Sequence, residues 1–320
     1  MNISVNKTDR IAVCSRSFSK NKLLRSELLK KYSNVKFNDE DLKLHGKSLI
    51  EFLSECDKAI IALEKINDDV LSKLPKLKVI SKYGVGLDMI DFNAMQKKKV
   101  YLGWTGGVNS RSVSELVIAF AITMLRDLSP ANRGILTGDW KQYVGRQLTG
   151  RSIGIIGCGF VGKDLVKLLR VFGCKIFVND IRDDNDDYYK KNNITHVPIE
   201  ELLLRSEIVT IHTPLDDTTE NILSRERLSM MSPNSVLINI ARGGLVDESA
   251  LKDLLIQKKI GAAAFDVFRI EPPLDYELLE LSNFYATPHI GGSAIEAIDA
   301  MGRAAINGLD NYSLPSEIIK

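Results

Sequence analysis

Cysteine and histidine are scarce, with four of each in 320 residues. The cysteines, at 14, 56, 158 and 174, form no CxxC pair, and three sit in or beside apolar segments. Buried free thiols are therefore expected rather than disulfides or a metal site. Excess charge is missing too: 43 Lys plus Arg stand against 41 Asp plus Glu. A net charge of +2 supplies no basic field of the kind that phosphate-backbone binding requires, which argues against nucleic acid as a partner. The longest apolar run, Leu116 to Leu125, is far too short to span a bilayer, so no membrane association is expected. The opening residues, MNISVNKTDRIAVCSR, hold no apolar stretch between a basic start and a small-residue cleavage site. They do not read as a signal peptide, and a cytoplasmic location is expected.

What is present is a globular balance, 44% hydrophobic and 26% charged, in a chain longer than one core supports. Two domains of similar size are the expectation. Short apolar strands alternate with helical patterns throughout, the signature of parallel sheets with helices on both faces. The first series of strands is Ile11 to Cys14, Asn34 to Phe37, Ala59 to Ala62, Val79 to Ser81 and Val100 to Gly103. The second is Ser152 to Ile156, Lys175 to Val178, Ile208 to Ile211, Ser235 to Ile240, Gly261 to Phe265 and Phe284 to Ala286, six strands in all. Between the series, Ser112 to Arg126 is apolar on nearly every face and reads as a buried helix crossing into the second domain, with a share in a subunit interface. After His289, the helix Ala294 to Asn307 and a polar tail are too short for a further domain and are expected to pack on the first. The acidic run Asp183 to Asp187 reads as a solvated loop.

The segment from Ser152 to Gly162 ends an apolar strand and opens an amphipathic helix, with glycines at 157, 159 and 162. In a GxGxxG so placed, the first glycine allows a tight turn, the second lets a pyrophosphate approach the backbone, and the third lets helix and strand pack closely. The helix N-terminus then offers unpaired N–H groups and a positive dipole end to the anion. A ligand-free glycine turn is the bland alternative. Against it stands the next strand, which ends in Asp180, 18 positions after Gly162. A carboxylate there can accept hydrogen bonds from the adenosine ribose and would repel a 2′-phosphate, which favours NAD over NADP; Arg182 nearby blurs that preference.

Reduction of a 2-keto acid needs a cation to hold the carboxylate and polarise the carbonyl, and an acid to protonate the oxygen. Arg242, Glu271 and His289 follow three successive late strands, at the sheet edge where open parallel sheets bind ligands. His289 sits in Thr287-Pro-His-Ile-Gly-Gly292, fixed as a loop by its Pro and Gly neighbours. Glu271, before Pro272 and Pro273, has the chemistry to pair with the imidazole and hold one tautomer; a surface acid before a proline turn is the alternative. Arg242 is flanked by Gly243 and Gly244, and its planar fork suits a carboxylate, with an ordinary salt bridge as the alternative. His212, in Ile211-His-Thr-Pro214, is a rival acid, but its earlier strand assigns that loop to cofactor contact or packing. Asp247 and Asp266 compete with Glu271, and Asp266 is expected to face the nicotinamide.

With GIIGCGFVGK, HTPL, INIARGGLVDE, AAAFDVFRIEPP and ATPHIGG in this order, nearly the whole chain resembles the D-2-hydroxyacid dehydrogenase family, which includes phosphoglycerate, glyoxylate/hydroxypyruvate and D-lactate dehydrogenases. The resemblance implies an α/β chain of two doubly wound domains around one cleft. A Rossmann NAD-binding domain, 104–289, would be inserted into a flavodoxin-like substrate domain, 1–103 plus 290–320. It implies hydride transfer between NAD and a D-2-hydroxy acid, with hydroxypyruvate, glyoxylate or 3-phosphoglycerate as the substrate guesses; the apolar helix from Ser112 makes a homodimer the expected assembly. By the same resemblance Arg242 binds and polarises substrate, His289 is the acid/base and Glu271 its partner. Gly157, Gly159, Phe160, Val161, Gly162, Asp180, His212, Thr213, Pro214, Ala241, Asp266 and Gly291 would lie along NAD. Ser81 to Asp88 resembles a substrate loop whose backbone N–H groups at Val85 and Gly86 hold the carboxylate; a plain strand-to-helix turn is the alternative. Where phosphoglycerate dehydrogenases place an arginine-bearing stretch, this chain has Leu63-Glu-Lys-Ile66, with Lys65 left to meet a phosphate. A nucleotide-sensing co-repressor with the same fold is the alternative function.

Overall fold

Strands buried on both faces read as nearly continuous apolar runs, and the central strands here follow that rule while the edge strands do not. In a computed structural model describing residues 9–182 and 186–318, β1 (Ile11–Val13), β2 (Val35–Phe37), β3 (Lys58–Ile61), β4 (Val79–Lys82) and β5 (Tyr101–Gly103) form one sheet. A second sheet contains β6 (Ser152–Ile156), β7 (Lys175–Asn179), β8 (Ile194–His196), β9 (Ile208–Ile211), β10 (Val236–Asn239), β11 (Ala262–Phe265) and β12 (Phe284–Ala286). The leader reading of residues 1–8 and the loop reading of 183–185 lie outside the described residues. Asp186 and Asp187, expected in that loop, instead open the helix Asp186–Asn192, where acidic side chains in the first turn complement the helix dipole.

Packing divides the chain into two compact units, one holding the residues up to Asn109 and those from Ile295 on, the other Ser110–Ala294. The boundaries read from strand ends, 103/104 and 289/290, fall a few residues earlier. In the first unit every strand pair is parallel, in the order β2-β1-β3-β4-β5, the flavodoxin-like arrangement. Alternation along β1 feeds its two faces: Ile11 and Val13 pack with Phe18, Leu24 and Leu28, while Ala12 packs with Leu49 and Leu53 on the other side. The helix Ile295–Gly308 returns to this unit, where Ser81 Oγ donates to Ala305 O at 2.6 Å.

The second unit's sheet runs β12-β11-β10-β9-β6-β7-β8, again all parallel, which is the Rossmann order with the reversal between β6 and β9. It has seven strands where the sequence suggests six. The additional one, β8, is a three-residue edge strand in which only Ile194 is buried, so it leaves no apolar run to find. The helix Ser110–Leu125 buries Val113, Val117, Phe120 and Met124 against β6 and β10 residues such as Ile153 and Ile238. Cys14, Cys56 and Cys158 are buried free thiols, and Cys174 is half-buried.

Candidate active site

The turn from β6 into the helix Phe160–Val171 has the form that pyrophosphate binding needs. Gly157 has φ +90°, and a Cβ there would lie 2.8 Å from the backbone of His212. A Cβ at Gly162 would lie 2.5 Å from the Gly157 carbonyl oxygen, so helix and strand could not close up around any larger residue. Gly159 occupies the N-cap and supplies no capping side chain, which leaves the first helical N–H groups to a ligand. Asp180 follows β7 and accepts from Cys158 N at 2.6 Å, which ties the acid to the glycine turn. Arg182 folds onto the same carboxylate, with Nε 3.2 Å from Oδ1. Burial pushes the Asp180 pKa up, but hydrogen bonds from Arg182 and Cys158 outweigh it and leave the group below the usual carboxylate range. The acid is thus fixed as an anion, while Arg182 is committed to it. Burial, and next the Asp180 charge, push the Cys158 thiol up to about 11, so this turn residue stays a neutral thiol.

Thr213, in the loop after β9, has a buried Oγ1 without a hydrogen-bond partner. An orphaned polar atom beside the glycine turn fits a loop that completes its bonding with a ligand. His212 faces inward: Nε2 meets Thr210 Oγ1 at 2.9 Å, and burial lowers its pKa to about 4. A histidine that is neutral above that pH has no proton to donate at neutrality, which removes it as a rival acid.

Arg242 and His289 follow β10 and β12, the two neighbours of β11. His289 Nδ1 lies 2.8 Å from Glu271 Oε2, both side chains being about half exposed at 52% and 40%. With Nδ1–H donating to the carboxylate, the tautomer leaves Nε2 to face a reactant. Glu271 is itself oriented, since its Oε1 accepts from Phe268 N at 3.2 Å. The histidine adopts φ +54°, in the left-handed region that non-glycine residues seldom occupy.

Asp266 anchors that backbone. The residue is 1% exposed, and its carboxylate accepts from Ile290 N and Gly291 N, each at 2.7 Å, and from Thr287 Oγ1. Its carbonyl oxygen takes His289 N at 2.9 Å. The acid expected to face the nicotinamide therefore holds the histidine loop from beneath. Sequence reasoning also misses Asn239, fully buried at the end of β10, whose Oδ1 accepts from Ala241 N at 3.1 Å and whose Nδ2 donates to Arg242 O at 2.9 Å. A polar residue closing an apolar strand is the signal that could have revealed both. In the same turn a Cβ on Gly243 would lie 1.9 Å from Phe268 C, so this loop presses directly on the backbone that leads to Glu271. Arg242 itself is half-buried and donates from Nη1 to Ala241 O at 2.7 Å.

In the first unit, Val85 and Gly86 lie in a half-buried turn after β4. Trp104 Nε1 donates to Val85 O at 3.0 Å. Beneath the turn is Lys82, 4% exposed, which donates to Ala62 O and, at 3.3 Å, to Tyr83 O.

The family model for D-isomer specific 2-hydroxyacid dehydrogenase, NAD binding domain, matches residues 118–291. The chain is 36% identical over 268 residues to D-3-phosphoglycerate dehydrogenase of Methanocaldococcus jannaschii, covering 81% of this chain but only 50% of that protein, so it spans half of that relative's length. It is 32% identical to hydroxypyruvate reductase of Thermotoga maritima over 85% of this chain and 92% of that one. In fold it is similar to a solved glyoxylate reductase of Paecilomyes thermophila, with TM-score 0.85 over 94% of each chain at 22% identity.

Proposed function

Because the chain belongs to the D-isomer specific 2-hydroxyacid dehydrogenase family, as an NAD-dependent oxidoreductase of 2-hydroxy acids, we propose that His289, Glu271 and Arg242 carry its chemistry. The observation that carries this reading is the 2.8 Å His289–Glu271 pair on a loop fixed by Asp266. Bound NADH supplies the hydride that arrives at C2 of the 2-keto acid. His289 Nε2 then delivers the proton to the carbonyl oxygen, and in the reverse direction takes it from the hydroxyl. Glu271 holds the imidazole in the tautomer this needs and faces the positive charge it carries. Arg242 grips the substrate carboxylate and polarises the carbonyl. In the first unit, Val85 and Gly86 would offer backbone N–H groups to a substrate carboxylate.

The cofactor would rest with its pyrophosphate on the N–H groups at Gly159, Phe160 and Val161, its adenosine ribose on Asp180, and its nicotinamide end along Thr213, Ala241 and Gly291. Hydroxypyruvate, glyoxylate and 3-phosphoglycerate are the candidate substrates or products. Purified protein with NADH and these 2-oxo acids, including 3-phosphohydroxypyruvate, is expected to lose absorbance at the NADH wavelength; no loss with any of them at any pH sinks the reading.

A homodimer in the cytoplasm completes the proposal. Its support is the apolar side chains of Ile135, Leu136, Trp140 and Val144, which stand 59% to 97% exposed, as side chains awaiting a partner do. Light scattering that returns the mass of one chain would refute the dimer.

A further inference from the structure

We propose that Glu248 is a positioning residue for proton transfer: it holds the Arg269 amide, and through it the loop that sets Glu271 against His289. The proposal rests on the reading of His289 as the acid/base and Glu271 as its partner.

The loop after β11 loses its hold on the core at Phe268, since no residue from Arg269 to Glu277 is buried. Ile270 and Leu274 stand 59% and 66% exposed, so side-chain packing does not anchor the stretch. Behind it lies a cavity of about 220 Å³ between Glu248, Phe268, Pro273 and Leu278, where a packed core would otherwise back it. Position therefore comes from backbone contacts, and these converge on one peptide. A Cβ on Gly243, next to Arg242, would lie 1.9 Å from Phe268 C and 2.3 Å from Arg269 N. Phe268 N donates to Glu271 Oε1 at 3.2 Å, which folds the loop onto the acid it carries. Arg269 N donates to Glu248 Oε1 at 2.8 Å, and this bond reaches outside the loop.

Glu248 is a fixed point. It opens the helix Glu248–Ile256, where the Asp247 carboxylate caps Ala250 N at 2.9 Å and Leu251, Leu254 and Leu255 lie in the core. Burial raises the Glu248 pKa against the bond from Arg269 N and the Arg269 charge, and Asp275 and Glu271 add to the rise. The surroundings thus disfavour its charge while using its oxygen, so an amide oxygen can take its place. The Arg269 guanidinium goes elsewhere, to Glu220 Oε1 at 2.8 Å and Asn221 Oδ1 at 3.0 Å, with both charged side chains about half exposed. Exposed pairs of that kind contribute little, which leaves the main-chain bond to Glu248 as the anchor. A small shift of Glu271 loosens its 2.8 Å contact with His289 Nδ1 and misdirects Nε2.

The test follows NADH oxidation by the purified protein with hydroxypyruvate, glyoxylate and 3-phosphohydroxypyruvate, and compares variants on the acid that the wild type reduces fastest. In Glu248→Ala, kcat is expected to fall about tenfold while KM for NADH and for the acid stays within about twofold. The solvent deuterium isotope effect on kcat should grow, because proton transfer is the step that slows. Glu248→Gln should return kcat to within about twofold of the wild type, and Arg269→Met, which keeps the amide, should stay in the same range. NADH binding followed by fluorescence is expected to persist in every variant; its loss in Glu248→Ala makes the residue structural and overturns the proposal. An undiminished kcat in Glu248→Ala, an equal loss in Glu248→Gln, or a loss in Arg269→Met as large as in Glu248→Ala overturns the proposal alone. No NADH oxidation with any of the three acids overturns the enzymatic reading and this one with it.

Discussion

The two units fix their loops with opposite charges. In the second, the buried carboxylate of Asp266 consumes the N–H groups of Ile290 and Gly291 and the Thr287 hydroxyl. In the first, the buried ammonium of Lys82 consumes the carbonyls of Ala62 and Tyr83. Each choice decides what the loop has left to offer. A loop whose amides are spent on an internal anion presents its side chains, and His289 is such a side chain. A turn anchored from beneath through a carbonyl, as Tyr83 O is here, would act by offering its amides, which is what the proposed substrate carboxylate needs. The polarity of the buried group beneath a loop thus foretells whether that loop acts through side chain or backbone.

The largest effect that sharpens this contrast is expected at the presented side chain. His289→Asn should lower kcat by roughly a thousandfold, within the range typical for losing a general acid/base, while NADH binding followed by fluorescence persists. Retained turnover would remove the second unit from the comparison. Arg242→Lys keeps the charge but loses the planar fork, and about a hundredfold loss in kcat/KM is expected. A drop of less than threefold would mean the guanidinium is structural.

The next tests exchange the buried charges themselves. Asp266→Asn turns an amide NH2 toward one of the N–H donors, so a stability loss of about 1–3 kcal/mol in urea denaturation and a lower kcat should appear together. Lys82→Met keeps the length and removes the donor from two carbonyls; KM for the 2-oxo acid should rise about tenfold, with kcat far less affected. If Lys82→Met lowers kcat and spares KM, the first unit does not act through its amides and the contrast fails.

Much of this was legible in the sequence because it is written in neighbours. The glycine turn, Asp180 and the other six strands of the second sheet depend on residues within one β-turn-α unit, where spacing reports geometry. His289 and Glu271 could be named because each stands beside Pro or Gly that forces a loop. Asp266 could be seen but not understood, since whether a carboxylate at a strand end points to a ligand or down into a loop 21 to 25 residues later is set by packing. Lys82 and Asn239 went unread for the same reason: their partners are backbone groups, and backbone carbonyls leave no mark in a sequence. The edge strand β8 has a single buried residue and therefore no pattern.

The smallest expected effect concerns the histidine that is not presented. His212 titrates near 4 in the fold because burial disfavours its charged form, and near 6.5 in an unfolded chain. Between those values the unfolded state binds a proton that the native state refuses. The linkage sign follows: this residue costs nothing above about pH 6.5, and native stability falls as pH drops from there toward 4. His212→Gln, which can still meet Thr210 Oγ1, removes that proton uptake. Urea denaturation should therefore give parallel stability curves for the two proteins above pH 7 and a shallower acid decline for the variant below 6.5. If the curves stay parallel down to pH 4, the imidazole is protonated in the native state, and the argument that excluded His212 as an acid loses its footing.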